Sequence, residues 1–201
     1  MKRCHPGLEI LVFTLLICLV AVSCNSPVEP DPGTTPEGFV IAWFNGLGNT
    51  IDLYFPESDS LVTTAYVTGS APNDFLYLGS DKLAVISSLS SILQVVDLSV
   101  SGSIQHEIAF PGGSNPWAMA YGYDNIWVTL MLTGQIATVS TETWTLGGAV
   151  DVPDYPYGIA LAAGNIFVSH GDYYPDTTPG GVTVIDAVTL DESGWIDTGQ
   201  N

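Results

Sequence analysis

Five side chains that could bind a ligand lie within seven residues of the sequence. They are His170, Asp172, Tyr173, Tyr174 and Asp176. An imidazole and two carboxylates can hold a cation, and tyrosine rings can stack on a sugar ring. The segment lacks the fixed ligand offsets of an EF-hand loop, so the sequence predicts no cofactor and leaves Ca²⁺ as the candidate metal. The alternative is a solvated loop whose tyrosines cover the edge of a sheet.

Signatures of catalysis are sparse in this sequence. It contains no G-x-S-x-G motif, no glycine-rich phosphate loop and no pair of histidines at metal-ligand spacing. No catalytic residue is therefore predicted, and the sequence leans toward a protein that binds rather than one that reacts.

Composition and charge narrow the classes of partner. With 21 Gly, 13 Pro and many β-branched and aromatic residues, the 201-residue chain favours short strands joined by turns. The formal net charge is −18, and Lys2, Arg3 and Lys82 are the only basic residues. One lysine outside the first few residues cannot neutralise a row of phosphates, so the sequence excludes nucleic acid as a partner.

A repeat of about 42 residues indicates the strands and turns that must position these side chains. Pro72, Pro116 and Pro156 are spaced by 44 and 40 residues, and each opens an apolar strand. A tight turn follows, at Asp81-Lys82, Asp124-Asn125 and Gly164-Asn165. Three further strands complete each unit. Four antiparallel strands repeated in this way predict an all-β chain built as a β-propeller of four-stranded blades.

The predicted blades occupy residues 39–71, 72–115, 116–155 and 156–201. The first blade lacks its opening strand, so about four blades are present and the ring is expected to be incomplete. We expect a truncated chain, with a genuine four-bladed or open arc as the alternative. An immunoglobulin-like sandwich is the competing fold, but it does not account for the recurring order of proline and turns.

The loop with the five candidate side chains is an insertion in the last blade. Its second and third strands start 15 residues apart, where the preceding blade has nine. In a propeller this loop lies on the same face as the segment that leads into each blade. We therefore expect Trp117 and Tyr157, each directly after a blade-opening proline, to join the insertion as ligand-binding residues.

The first 23 residues have the pattern of a secretory leader. Lys2 and Arg3 precede a 13-residue apolar run over residues 10–22, which is too short to span a membrane. The run ends in "AVSC", which resembles a bacterial lipobox. That resemblance implies cleavage before Cys24 and lipid attachment to its thiol. The alternative is an ordinary secretory signal with Cys24 as a spare thiol.

Residues 24–38 carry this cysteine and a proline-rich tether that cannot pack. The tether would hold the blades clear of the membrane to which the lipid anchors the protein. Asn25 differs from the aspartate that marks retention at the inner membrane in the enterobacterial pattern. The expected location is the bacterial cell envelope, at the outer membrane, facing either the periplasm or the surface.

The second strands carry a family resemblance. "AWFN" at 42–45, "AVIS" at 84–87, "WVTL" at 127–130 and "FVSH" at 167–170 stand in one register and resemble the tetrapeptide of YVTN-type β-propeller repeats. "VVDLS" and "VIDAVT" resemble that family's V-I-D-x-x-T element. Residues 116–139 also resemble a streptogramin-lyase-type repeat, although that family's catalytic motifs cannot be matched here. The resemblance implies the β-propeller fold and a location outside the cytoplasm, and it does not imply a single activity.

Three functions remain open at this point. The first is a lipid-anchored propeller that binds a protein or glycan through its loop face. The second is an enzyme of the lactonase or lyase type, with catalytic residues partly in absent blades. The third is a structural surface-layer component whose acidic surface binds divalent cations.

Overall fold

A computed structural model describes residues 41–45, 48–98, 103–171 and 180–199. The predicted leader at 1–23, Cys24 with its tether, and Asp172, Tyr173, Tyr174 and Asp176 lie outside the described residues. Within the described part of the chain, the regular structure consists of strands joined by turns. No helix there is long and apolar enough to cross a membrane.

Fifteen strands form four antiparallel sheets, each with its strands in chain order. The first sheet contains β1 (Ile41–Asn45), β2 (Thr50–Phe55) and β3 (Ser60–Val67). The second contains β4 (Pro72–Gly79), β5 (Lys82–Ser87), β6 (Ile92–Asp97) and β7 (Ile104–Ala109). The third contains β8 (Pro116–Gly122), β9 (Asn125–Leu130), β10 (Gln135–Ser140) and β11 (Leu146–Asp151). The fourth contains β12 (Pro156–Ala162), β13 (Asn165–His170), β14 (Gly181–Asp186) and β15 (Glu192–Asp197).

The hydrophobic cores lie between consecutive sheets. Successive residues of a strand point to opposite faces, so Val85 of β5 packs toward the first sheet while Ala84 and Ile86 pack toward the third. In β9, Trp127 likewise packs toward the fourth sheet and Val128 toward the second. Because both faces of these middle strands are covered, they read as continuous apolar runs. The chain is thus a propeller of face-to-face blades, which confirms the predicted fold class.

The hairpin between the first and second strands of each blade is a two-residue turn. Both of its residues have positive φ, at Ser80-Asp81, Tyr123-Asp124 and Ala163-Gly164. This is the geometry of a type I′ turn, whose twist matches that of the strands. The sequence prediction placed each turn one residue too late, because Lys82, Asn125 and Asn165 already pair as the first residues of the second strands.

Candidate functional site

The opposite end of the blades has a different local structure, which we call the proline face. It is the end at which Pro72, Pro116 and Pro156 open the first strands β4, β8 and β12. The residue before each proline has a φ of 54°. Strand pairing shifts register directly after each proline, as in a β-bulge. A bulge redirects the side chain beside it, so the residues after the prolines turn away from regular pairing.

These redirected residues line a cavity of about 410 Å³. The first strands β4, β8 and β12 lie side by side, and each contributes the two residues that follow its proline. The lining consists of Asn73, Asp74, Trp117, Ala118, Tyr157 and Gly158. The same position of the repeat thus contributes to one cavity from three blades, with a different side chain in each blade.

Trp117 and Tyr157 form the aromatic part of the cavity. Their ring centroids are 5.8 Å apart and their planes meet at 86°. The Trp117 side chain is 38% exposed although it is apolar. On the other side, Tyr157 packs against Gly171, where an added Cβ would lie 2.7 Å from its Cε2. The two rings therefore meet edge to face and form a corner, with Tyr157 packed against the backbone of Gly171.

Asn73 joins β4 to the next blade. Its Nδ2 donates a hydrogen bond of 2.6 Å to the carbonyl of Trp117. The Ser88 hydroxyl lies within hydrogen-bond distance of both Asn73 Oδ1 and the Pro116 carbonyl. Both the nitrogen and the oxygen of the Asn73 side-chain amide therefore make hydrogen bonds that hold the cavity together.

Asp74 supplies the carboxylate of the cavity. Its Oδ2 accepts a 2.9 Å hydrogen bond from the backbone N–H of Met119 in the neighbouring blade. Burial raises the pKa of Asp74 from 3.8 to about 6, and the backbone N–H groups of Met119 and Phe75 oppose that shift. A carboxyl group with such a perturbed pKa in a cleft is a candidate functional group.

Hydroxyl groups support the backbone of the other two blades. Thr129 Oγ1 accepts from the N–H of Ala118 at 3.0 Å and lies 3.3 Å from the carbonyl of Tyr157. In the last blade, Ser169 Oγ accepts from the N–H of Gly158 at 2.9 Å. Both hydroxyls replace ladder bonds that the bulges remove, so they fix the strand ends that carry the cavity.

The structure brings together two of the predicted ligand-binding residues, Trp117 and Tyr157, and places His170 elsewhere. The His170 side chain is 5% exposed and stacks on Trp195 at a centroid distance of 5.6 Å. Its Nε2 lies 2.8 Å from Thr183 Oγ1 and its Nδ1 lies 3.4 Å from the Asp154 carbonyl. Burial lowers the pKa of His170, which favours the neutral ring. The contacts of His170 are those of a core residue.

Asn73 and Asp74 were not predicted from the sequence, which pointed only to the aromatic residues Trp117 and Tyr157 directly after the prolines. A usable signal was present, because these residues occupy the same two positions after Pro72 that Trp117-Ala118 and Tyr157-Gly158 occupy after theirs. Among the described residues, no group of three or more His, Cys, Asp or Glu side chains could hold a metal ion. Calcium binding stays a prediction.

Two exposed leucines lie on the same face. Leu89 is 79% exposed and Leu132 is 55% exposed, each in the turn between the second and third strands of its blade. Their backbone N–H groups donate to the carbonyls of Ser70 and Ser114, which precede the blade-opening prolines. The proline face therefore combines an aromatic cavity with apolar side chains around it.

Fold and site together define a β-propeller with a cavity where the first strands of three blades begin. The sequence matches no family model and no curated protein. Among solved structures, the Kuenenia stuttgartiensis hydrazine synthase is similar with a TM-score of 0.70 and 14% identity, over 81% of this chain and 47% of that one. The dihydro-heme d1 dehydrogenase NirN is similar with a TM-score of 0.65 and 13% identity, over 83% of this chain and 37% of that one.

The virginiamycin B lyase from Staphylococcus aureus gives a TM-score of 0.63 and 14% identity, over 80% of this chain and 53% of that one. At such identities the similarity concerns the fold alone. The chain spans about half the length of these structures, or less.

Proposed function

We propose that this protein is a bacterial lipoprotein with YVTN-type propeller repeats that binds a partner through its proline face. Cys24 carries the lipid and anchors the protein in the cell envelope, at the outer membrane. The tether keeps the propeller away from the lipid surface, and the bound partner is a protein or a glycan. Lactonase or lyase activity and a surface-layer role stay predictions.

The observation that carries this proposal is the cavity at the proline face. Exposed aromatic side chains that sit beside a carboxylate in a concave site are typical of ligand-binding sites. Trp117 is 38% exposed in that cavity, which costs free energy in a protein without a ligand. Binding of a partner would recover this free energy.

The surrounding surface supports a macromolecular partner. Leu89 and Leu132 occupy equivalent turns in neighbouring blades and present apolar surface on the same face as the cavity. Apolar surface around an aromatic centre is typical of protein–protein interfaces. A protein is therefore the favoured partner and a glycan the alternative.

The anchor is tested by Cys24→Ser in the producing bacterium. We expect the wild-type protein in the membrane fraction and the variant in the soluble fraction, because the variant cannot be acylated. A variant that stays with the membranes would contradict the assignment of Cys24.

The binding face is tested with immobilised full-length protein and solubilised envelope extract. We expect Trp117→Ala with Tyr157→Ala to abolish retention of the partner, while Tyr77→Ala retains it. Tyr77 is the matched control, because it is 41% exposed and lies near the opposite end of β4. Protease treatment of the extract should remove binding if the partner is a protein, and periodate should remove it if the partner is a glycan. Equal retention by all variants would contradict the proposal.

A further inference from the structure

We infer that the cavity at the proline face binds an organic cation, namely an alkylammonium or guanidinium group. The inference rests on the proposed binding function and specifies its chemistry. In a protein partner the group would be the side chain of a lysine or arginine that enters the cavity. The same chemistry could come from a free organic cation such as a quaternary ammonium compound, and the titration separates the two sources.

The aromatic corner provides the first half of the argument. Because the planes of Trp117 and Tyr157 meet at 86° with centroids 5.8 Å apart, the rings meet edge to face, and a group that enters the angle between them can contact both rings. The face of an aromatic ring carries negative potential and attracts a cation within about 6 Å of its centroid. Tryptophan is the strongest of the aromatic side chains in this interaction.

The carboxylate provides the second half. An ionised carboxylate is an acceptor with about four lone-pair sites. One of these sites, on Asp74 Oδ2, accepts the backbone N–H of Met119. The remaining capacity suits a cationic ligand, which pairs with the negative charge and does not need to accept a hydrogen bond. A partly buried carboxylate also gains from a paired cation, since burial without a partner is costly.

The other polar groups of the cavity do not offer the same opportunity to a neutral or anionic ligand. The Asn73 amide is already used for Trp117 and Ser88. Lys82 is the only lysine or arginine in the described ranges, and it lies at the opposite end of β4 and β5. With a net charge of −18, the chain attracts cations and repels anions over its whole surface.

The test compares a cation with its neutral isostere. Choline and 3,3-dimethylbutan-1-ol have the same shape, and only choline is charged. Calorimetric titration of the full chain at pH 7.5 should show choline binding at least tenfold tighter. Acetyl-Gly-Arg-Gly-amide should likewise bind at least tenfold tighter than acetyl-Gly-Gln-Gly-amide. A tighter complex with the arginine peptide indicates a protein side chain as the natural ligand, and a tighter complex with choline indicates a free organic cation.

Matched variants locate the binding. Asp74→Asn and Trp117→Ala should each weaken choline binding at least tenfold. Asp81→Asn removes the same charge at the opposite end of the same blade, and Tyr77→Ala removes a similarly exposed ring, so neither should change affinity more than twofold. Asn tolerates the positive φ of position 81, which keeps the control folded.

Three outcomes would overturn the inference: equal binding of choline and its isostere, unchanged binding by Asp74→Asn, or equal losses in the control variants. If N-acetylglucosamine binds in a Trp117-dependent manner and choline does not, the cation inference fails while the proposed binding function stands. If the double Trp117 and Tyr157 variant also retains its envelope partner, the proposed function fails as well.

Discussion

The two ends of the blades differ in how much their repeated positions vary. At the hairpin end, three blades use the same two-residue turn, and Asn125 and Asn165 make the same side-chain bond to the carbonyl two residues earlier. At the proline face, the equivalent positions after the prolines carry Asn73, Trp117 and Tyr157. The strands are alike, but the side chains differ in size, polarity and hydrogen bonding.

This difference separates the scaffold from the site. A type I′ turn needs only residues that tolerate positive φ, so one solution serves every blade. The cavity shared by three blades instead combines different groups at equivalent places, an amide, an indole and a phenol. The bulge after each proline allows the scaffold to stay the same while the site varies, because it redirects a side chain without altering the blade behind it.

The largest expected effect concerns close packing at the proline face. Gly181 opens β14 beneath the indole of Trp195, and an added Cβ would overlap that ring. Gly181→Ala should destabilise the fold by about 1–3 kcal/mol, as overpacking does. Gly194→Ala in β15 is the control, because an added Cβ there meets nothing within 4 Å. Urea unfolding measures both, and equal stabilities would contradict the packing of Trp195 on Gly181.

The next effect concerns Asp74 and pH. The pKa of Asp74 is about 6 in the folded state and 3.8 in the unfolded state, so the folded state keeps the proton to a higher pH. Protonated Asp74 therefore stabilises the folded state fully below pH 4, and this contribution to the free energy of unfolding is lost as pH rises through 6. Asp74→Asn should therefore be more stable than wild type at pH 7.5, by roughly 1–2 kcal/mol.

Urea unfolding of Asp74→Asn and wild type at pH 4 and pH 7.5 gives this difference directly, since other titrating groups cancel. The control is Asp81→Asn, which removes the same charge at an exposed turn and should be as stable as wild type at pH 7.5. A variant that gains stability while losing choline would show that Asp74 is kept for binding. An Asp74→Asn protein less stable than wild type at pH 7.5 would contradict the burial of this carboxylate.

A smaller effect follows from the support behind Tyr157. In Gly171→Ala the new Cβ would press on the tyrosine ring and tilt it out of the corner. We expect choline affinity to fall by about two- to fivefold, which corresponds to one exposed cation–π contact. Gly112→Ala, in another loop of this face with open space around it, should leave affinity unchanged. Parallel losses in both variants would point to a general loosening of the face.

The smallest effect concerns His170. Its folded pKa lies below the unfolded value of 6.5, so the unfolded state binds the proton first as pH falls. His170 thus makes the fold less stable as pH drops below 6.5, opposite in sign to Asp74. An NMR titration should show the His170 ring more than half neutral at pH 6.5, because its pKa lies below that value. A ring already protonated at pH 6.5 would contradict its placement in the core.

The sequence predicted the blades because their signals are local. A proline before an apolar strand, a turn that tolerates positive φ and a second strand recur in order, and each depends on neighbouring residues. The one-residue error in the turns arose because Ser80, Tyr123 and Ala163 are unusual choices for positive φ. Local preference pointed to the Asp, Gly and Asn residues that follow.

The cavity was only partly predictable, because it depends on which strands become neighbours. Trp117 and Tyr157 could be placed on one face from the repeat alone. The contact of Asp74 with Met119 joins residues 45 positions apart in two blades, and no local pattern encodes it. The burial of His170 also depends on Trp195 and Thr183, which other strands supply.

The most direct test of the account is a crystal structure of the full chain with choline. The account predicts that β4, β8 and β12 are adjacent, with the trimethylammonium group in the corner of Trp117 and Tyr157, within about 6 Å of both centroids. The group should also face the carboxylate of Asp74. Choline bound elsewhere, or first strands that are not neighbours, would contradict the account.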